Sequence, residues 1–389
     1  MGIGEGSVED LEMTQFDGTF SGRTVLVTGH TGFKGSWLTM WLLELGATVV
    51  GFALPPETQP SLFEQLGLER RIDSRVGDVR DAALLDKTLR ETRPEIVFHL
   101  AAQPLVRLSY EQPLDTFATN VQGTANLLEA VRRTDSVRVC QVVTTDKCYE
   151  NREADRPYRE EDRLGGRDPY SASKACAELV VSSFRDSFFS TSAAKRRDVS
   201  VSSARAGNVV GGGDWAQDRL VPDCIRALAA EQAIIVRNPR SVRPWQFVLE
   251  PLSGYLTLAA HQFANPASFA EAWNFGPSSD DARTAAQVAE LVVRGWGGGR
   301  WSGADADPAA PHEAGLLTLD SAKARDRLSW RPVHGADEGI VRTVAWYRAA
   351  ASPGFDALTF TRGQISDYTA AARKAGLSWA AERAAVGRP

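Results

Sequence analysis

The chain has 389 residues, 43% of them hydrophobic and 24% charged, enough for a sizeable core in one large or two closely associated domains. A net charge of −5 and the absence of a dense Lys/Arg stripe argue against nucleic acid or an anionic membrane as partner and leave small ligands. The four cysteines, Cys140, Cys148, Cys176 and Cys224, have no metal-ligand spacing with a nearby histidine; reduced thiols in a cytoplasmic protein without a metal site are expected.

Residues 1–18 read as an acidic, Gly-rich flexible tail without the basic start and apolar run of a signal peptide. No apolar run approaches the ~18 residues of a membrane span. The first buried strand is expected over Arg23–Gly29 (RTVLVTG), because its apolar run is continuous rather than alternating. A helix follows from Ser36 to Gly46, then a second strand over Ala47–Leu54.

The alternation continues with strand Ile72–Gly77, helix Ala82–Thr92, strand Glu95–Leu100, helix Thr116–Arg133 and strand Arg138–Thr144. A long helix over Tyr170–Phe189 and a strand over Val199–Arg205 complete it. Strands and amphipathic helices taking turns predict parallel βαβ units, hence an α/β, doubly wound parallel sheet of Rossmann type.

After Asn208 the pattern loosens: a helix over Val221–Ala230, a short strand over Ala233–Val236, later helices over Ala285–Arg294 and Asp337–Arg348, and a loop over Gly295–Pro311. This predicts a smaller mixed α/β C-terminal lobe. The dinucleotide domain takes residues 19–206 and 244–276, and the substrate lobe 207–243 and 277–389.

Gly29, Gly32 and Gly35 lie in GHTGFKG, between the first strand and the first helix. In that setting the first glycine allows a tight turn, the second lets backbone N–H groups approach a pyrophosphate, and the third permits close packing of helix on strand. Phe33 belongs to the same loop, and His30 and Lys34 place positive charge near phosphates, although a solvated lysine at a helix start is equally ordinary. The end of the second strand, Gly51-Phe52-Ala53-Leu54, has neither an acid for a ribose 2′-hydroxyl nor an arginine for a 2′-phosphate, so the usual sign of NAD or NADP is missing.

The wider glycine spacing resembles the extended branch of the short-chain dehydrogenase/reductase superfamily. The resemblance implies adenine and ribose contacts from Asp78 and Val79 after the third strand and from Ala101, Ala102 and Gln103 after the fourth; a helix N-cap is the plain alternative for Asp78. It also gives weight to Tyr170 and Lys174, four apart in PYSASK and so on one helix face. A lysine ammonium beside the phenol lowers its pKa and favours a phenolate base, and the same lysine can hold the nicotinamide ribose.

After the fifth strand stands TTDKCYEN, where the superfamily resemblance implies a serine or threonine that hydrogen-bonds the reacting hydroxyl, a place Thr145 fits. Asp146-Lys147 here resembles the CDP-glucose 4,6-dehydratases, as do HLAAQPLVR, ARAGNVVGGGDWAQDRLVPD, RNPRSVRPWQFVLEPLSGY, AWNFGP and QISDY. That family implies NAD, a transient 4-ketone, loss of water across carbons 5 and 6 with Lys147 as base and Asp146 as acid, and return of hydride to carbon 6.

The resemblance further implies a homodimer or homotetramer, and assigns Asn208 and Arg243 to the nucleotide diphosphate. Arg219 is a candidate for that task or a solvated charge. A surface ion pair is the plain alternative for Asp146-Lys147. Phe247 stands where the family is expected to carry histidine, which bears on sugar contacts or on loop packing. The competing functions are an epimerase, a dehydratase for another nucleotide sugar such as dTDP-glucose or GDP-mannose, and a non-catalytic dinucleotide-sensing regulator.

Overall fold

The structure, a computed structural model, describes residues 15–152, 156–189, 198–278, 281–304 and 317–381. Its centre is a seven-stranded sheet built from β1 (Thr24–Thr28), β2 (Thr48–Ala53), β3 (Asp73–Val76), β4 (Ile96–His99), β5 (Val139–Val143), β6 (Ser200–Ala206) and the strand Ala272–Phe275. Every neighbouring pair is parallel, in the order β3-β2-β1-β4-β5-β6 followed by Ala272–Phe275. This is the doubly wound arrangement expected from the alternation, with one strand more.

The continuous apolar runs have a direct cause. Val25 and Val27 enter the core on one face of β1 while Leu26 enters the core on the other, and Ile96 and Phe98 oppose Val97 in the same way. A strand covered on both faces needs no polar alternation. Helices Ala82–Thr92, Gly123–Arg133 and Pro169–Phe184 cover one face; Phe33–Glu44 and Leu249–Ala264 cover the other.

The chain order reverses between β1 and β4, the crevice where open α/β sheets bind ligands beyond the strand ends. Loops after all six of β1 to β6 reach one cavity there. Its far wall comes from helix Leu220–Ala229, the strands Val209–Val210 and Ile234–Val236, and Arg243, with the strands Gln246–Phe247, Trp301–Gly303 and Ala282–Thr284 pairing outside the cavity with Val209–Val210, Ile234–Val236 and Val242–Pro244.

Two expectations are corrected. Gln15–Gly18 is not tail: it forms a short turn whose Phe16 is buried and stacks on Trp379 with ring centroids 4.9 Å apart, while residues 1–14 lie outside the described residues. The expected Gly295–Pro311 loop contains the strand Trp301–Gly303, pairing in register with Ile234–Val236, and its part beyond 304 lies outside the described residues. No described helix is long and apolar enough to cross a membrane.

Candidate active site

The cavity measures about 1490 Å³. That exceeds the roughly 300–1,000 Å³ of a pocket for one small ligand and suits two extended ones side by side.

The glycine loop forms its floor. Gly29 adopts φ +75°, and a Cβ there would meet the Ala101 backbone nitrogen at 2.7 Å; a Cβ on Gly35 would stand 2.1 Å from the Gly29 carbonyl oxygen. Gly32 has no such crowding and caps helix Phe33–Glu44 without a side-chain hydrogen bond, which leaves its first N–H groups open to the cavity. An uncapped helix start fronted by a bare glycine fits a pyrophosphate.

Around this floor stand Phe33, Lys34, Asp78, Val79, Ala101, Ala102 and Gln103. Asp78 does not cap the next helix; Asp81 does, accepting from the Leu84 N–H. The Asp78 carboxylate pairs with Arg80, which holds it below its ordinary pKa, and Arg80 also reaches Asp115. Lys34 is not a solvated lysine: burial, then the charges of Arg219 and Lys174, bring its ammonium down to about 8, against the pull of Asp146.

His30 departs from expectation. Its ring is buried beneath Gly51, where any Cβ would collide with it, and its Nε2 bonds the Ser74 hydroxyl at 2.9 Å. Burial lowers its pKa to about 4, so the ring is neutral and its side chain does not line the cavity.

Tyr170 and Lys174 face the cavity because of how their helix begins. Asp168 caps it, accepting from the Ser171 N–H and hydroxyl, and Pro169 occupies the first turn, which sets Tyr170 and Lys174 one turn apart and buried. Lys174 Nζ donates to the Val143 carbonyl at 3.4 Å, and burial lowers its pKa to about 8. Burial pushes the Tyr170 phenol up to about 12; a hydrogen bond with Thr145 and the charge of Arg219 oppose that rise, while Asp146 adds to it. Arg219, from the far wall, thus places a second cation near the phenol besides Lys174 on the same helix.

Thr145 caps a short turn, Asp146–Cys148, at the end of β5. Asp146 is only 2% exposed, so it is no surface ion pair. Its Oδ1 accepts from Thr145 Oγ1 at 2.9 Å, while Oδ2 finds no hydrogen-bond partner among the described residues. Burial pushes this carboxyl up, against Lys147, Thr145 and Arg243. Lys147, half-buried, lines the cavity beside it.

Asn208, Arg219 and Arg243 line the wall near Asp146 and Tyr170. Arg219 is held by the buried Asp214 at 2.7 Å rather than solvated. Phe247 is not in the cavity: it is fully buried in the core, edge-on to Trp37 at 6.2 Å.

Sequence reasoning missed Asn120. Its amide accepts from the Gln103 N–H at 2.8 Å and donates to the Gln103 carbonyl and the Ser173 hydroxyl, tying the β4 loop to the Tyr170 helix. The available sign was a buried asparagine in an apolar helical pattern, at a stretch that proves to be π-helical.

The model of the GDP-mannose 4,6 dehydratase family matches residues 26–343. The chain belongs to that family. Among relatives, this family member is 50% identical over 352 residues to the CDP-glucose 4,6-dehydratase of Salmonella typhimurium, covering 90% of this chain and 98% of that one. It is 29% identical over 345 residues to a dTDP-glucose 4,6-dehydratase of Xanthomonas campestris pv. campestris, covering 83% and 93%. Its fold matches that of DesIV, the dTDP-glucose 4,6-dehydratase of Streptomyces venezuelae solved with NAD and TYD, with a TM-score of 0.71 and 23% identity over 84% of this chain and 97% of that one.

Proposed function

We propose that this chain, an NAD-dependent nucleotide-sugar 4,6-dehydratase, converts CDP-glucose to CDP-4-keto-6-deoxyglucose. The 50% identity to the Salmonella enzyme, named for CDP-glucose, supports the nucleotide and the sugar. One observation carries the chemistry: Asp146 is a buried carboxyl, pushed toward its protonated form, with a free Oδ2 beside Lys147 in the Tyr170 cavity. An epimerase needs no such pair.

Tyr170 takes the proton of the sugar 4-hydroxyl, with Thr145 steadying that oxygen and Lys174 held beside the nicotinamide ribose. The glycine loop with Asp78, Val79, Ala101, Ala102 and Gln103 would hold NAD, which would supply a reversible hydride acceptor for carbons 4 and 6. The 4-ketone acidifies carbon 5, Lys147 removes that hydrogen, and Asp146 protonates the departing 6-hydroxyl. Asn208, Arg219 and Arg243 hold the diphosphate.

On this reading residues 19–206 and 244–276 carry the cofactor, while 207–243 and 277–389 close over the sugar. We read the protein as cytoplasmic, its four cysteines being unpaired. Exposed Leu114, Phe117 and Leu179, on neighbouring helices, support a homodimer through that face. Mass spectrometry of CDP-glucose incubated with protein and NAD tests the function: loss of one water is expected, and an unchanged mass alongside turnover of another nucleotide sugar would redirect it.

A further inference from the structure

Behind the Asp146 turn lies a buried ion pair that does not line the cavity. Glu178 stands one turn beyond Lys174 on the same helix, and Arg205 near the end of β6; their side chains are 3% and 4% exposed. Arg205 Nη2 donates to Glu178 Oε2 at 2.8 Å. Glu178 also accepts from the Ser203 hydroxyl at 2.6 Å and from the Thr144 hydroxyl. The other guanidinium nitrogen, Nη1, donates to the Tyr149 hydroxyl at 2.7 Å and the Glu160 carbonyl at 3.1 Å, with the guanidinium 4.9 Å over the Tyr149 ring. The Tyr149 hydroxyl in turn donates to Asn274 at 2.8 Å.

One member of the pair thus holds Thr144 and the other holds Tyr149, the two residues bracketing Thr145, Asp146, Lys147 and Cys148. Against the upward push of burial, Arg205 and the Ser203 and Thr144 hydroxyls keep the Glu178 carboxyl below its ordinary range, so the pair is ionised. A buried pair is weak evidence of stability, since apolar side chains of equal volume often fill such a place without loss. What apolar side chains cannot do is hydrogen-bond both ends of a turn.

We propose that Glu178 and Arg205 are positioning residues for the elimination step, fixing from behind the turn that aims Asp146 and Lys147 at the sugar. The proposal rests on the reading of those two residues as acid and base. The pair hydrogen-bonds neither Tyr170 nor the glycine loop and reaches the oxidation step only through the charge of Glu178 on Lys174 and through Thr145 in the shared turn, so its loss bears more heavily on water removal than on oxidation at carbon 4.

The test is the double variant Glu178→Gln/Arg205→Met, which leaves no unpaired charge, beside Tyr149→Phe, which deletes only the hydroxyl that Arg205 grips. NAD affinity by fluorescence titration and NADH formation in single turnover should stay within about threefold of wild type. Product formation should fall about 100-fold, the scale of a 1 Å misplacement, so that NADH accumulates; Tyr149→Phe should shift the same ratio by about tenfold.

Wild-type product formation in the folded double variant overturns the proposal. So does equal loss of both half-reactions with a raised KM, the mark of general loosening. If the double variant does not fold, Tyr149→Phe decides by the same ratio. Asp146→Asn, assayed in parallel, separates the two ideas: normal dehydration in that variant sinks the acid assignment itself, whereas a stalled Asp146→Asn beside a fully active double variant sinks only the positioning role.

Discussion

Thr145 and Asp146 are joined beside the Tyr170 phenol: Thr145 Oγ1 donates to Asp146 Oδ1 at 2.9 Å and accepts from the Lys147 N–H at 3.3 Å, and Thr145 opposes the rise of the phenol that Asp146 adds to. The proposed first base, on helix Pro169–Phe184, and the proposed final acid, on the turn after β5, therefore face the same cavity with Thr145 beside both. A change in the charge of one is felt by the other, as the upward push of Asp146 on the phenol already indicates.

That arrangement separates two half-reactions by mutation. Lys147→Met or Asp146→Asn should leave oxidation at carbon 4 measurable while product formation falls by roughly 10²–10⁴. Single-turnover absorbance should then show NADH that forms and persists. Undiminished water loss in either variant would remove that residue from the mechanism.

Tyr170→Phe should stop the cycle one step earlier. With no phenol to take the 4-hydroxyl proton, NADH formation should drop by about 10²–10⁴ while NAD binding persists. Normal NADH formation in single turnover would contradict the role of the tyrosine.

The three loop glycines should divide into structural and ligand-facing. Gly35→Ala places a Cβ 2.1 Å from the Gly29 carbonyl oxygen and should lower the melting temperature sharply. Gly32→Ala meets nothing closer than 3.4 Å and keeps an ordinary backbone conformation, so melting should be unchanged while NAD affinity weakens by about tenfold or more. Loss of stability in Gly32→Ala, or none in Gly35→Ala, would reverse the assignment.

The centre of the sheet was legible because β1, β2 and β4 are buried on both faces, which writes a nearly unbroken apolar run into the sequence. Helix Leu249–Ala264 was not anticipated for a related reason: it is buried almost all round and offers no polar stripe to set a period. The glycine loop and the Tyr170 helix could be read because their chemistry is local, in a turn or within one helical step. The neutral state of His30 could not, since it follows from the space above it at Gly51, a residue 21 positions away. Nor could the charge of Arg219 near the phenol, because Arg219 arrives from the lobe.

Phe247 gives a prediction about substrate choice. Its ring packs in the core edge-on to Trp37, with Gly339 close against its Cβ and backbone, away from the cavity. Phe247→His should therefore cost about 1–3 kcal/mol by burying an unpartnered polar group, with no change in preference across a panel of nucleotide sugars. A switched preference at unchanged melting temperature would show that the ring reaches the sugar.

Lys34 makes the ligand-free protein pH-dependent. Its pKa falls from 10.5 unfolded to about 8 folded, chiefly through burial, with Arg219 and Lys174 adding to the fall and Asp146 opposing it. Between those values the unfolded chain keeps a proton that the folded chain has lost, so this group adds stability as pH rises through the window; below it, folding carries the full cost of a buried charge. Lys34→Met should accordingly melt higher than wild type at pH 7, and the gap should close as pH rises from about 8 to 10.5. Thermal melts without cofactor across that range check this. A gap that stayed constant, or a wild type more stable at pH 7, would mean that Lys34 is better solvated, or better paired with Asp146, than its place beneath Tyr255 implies.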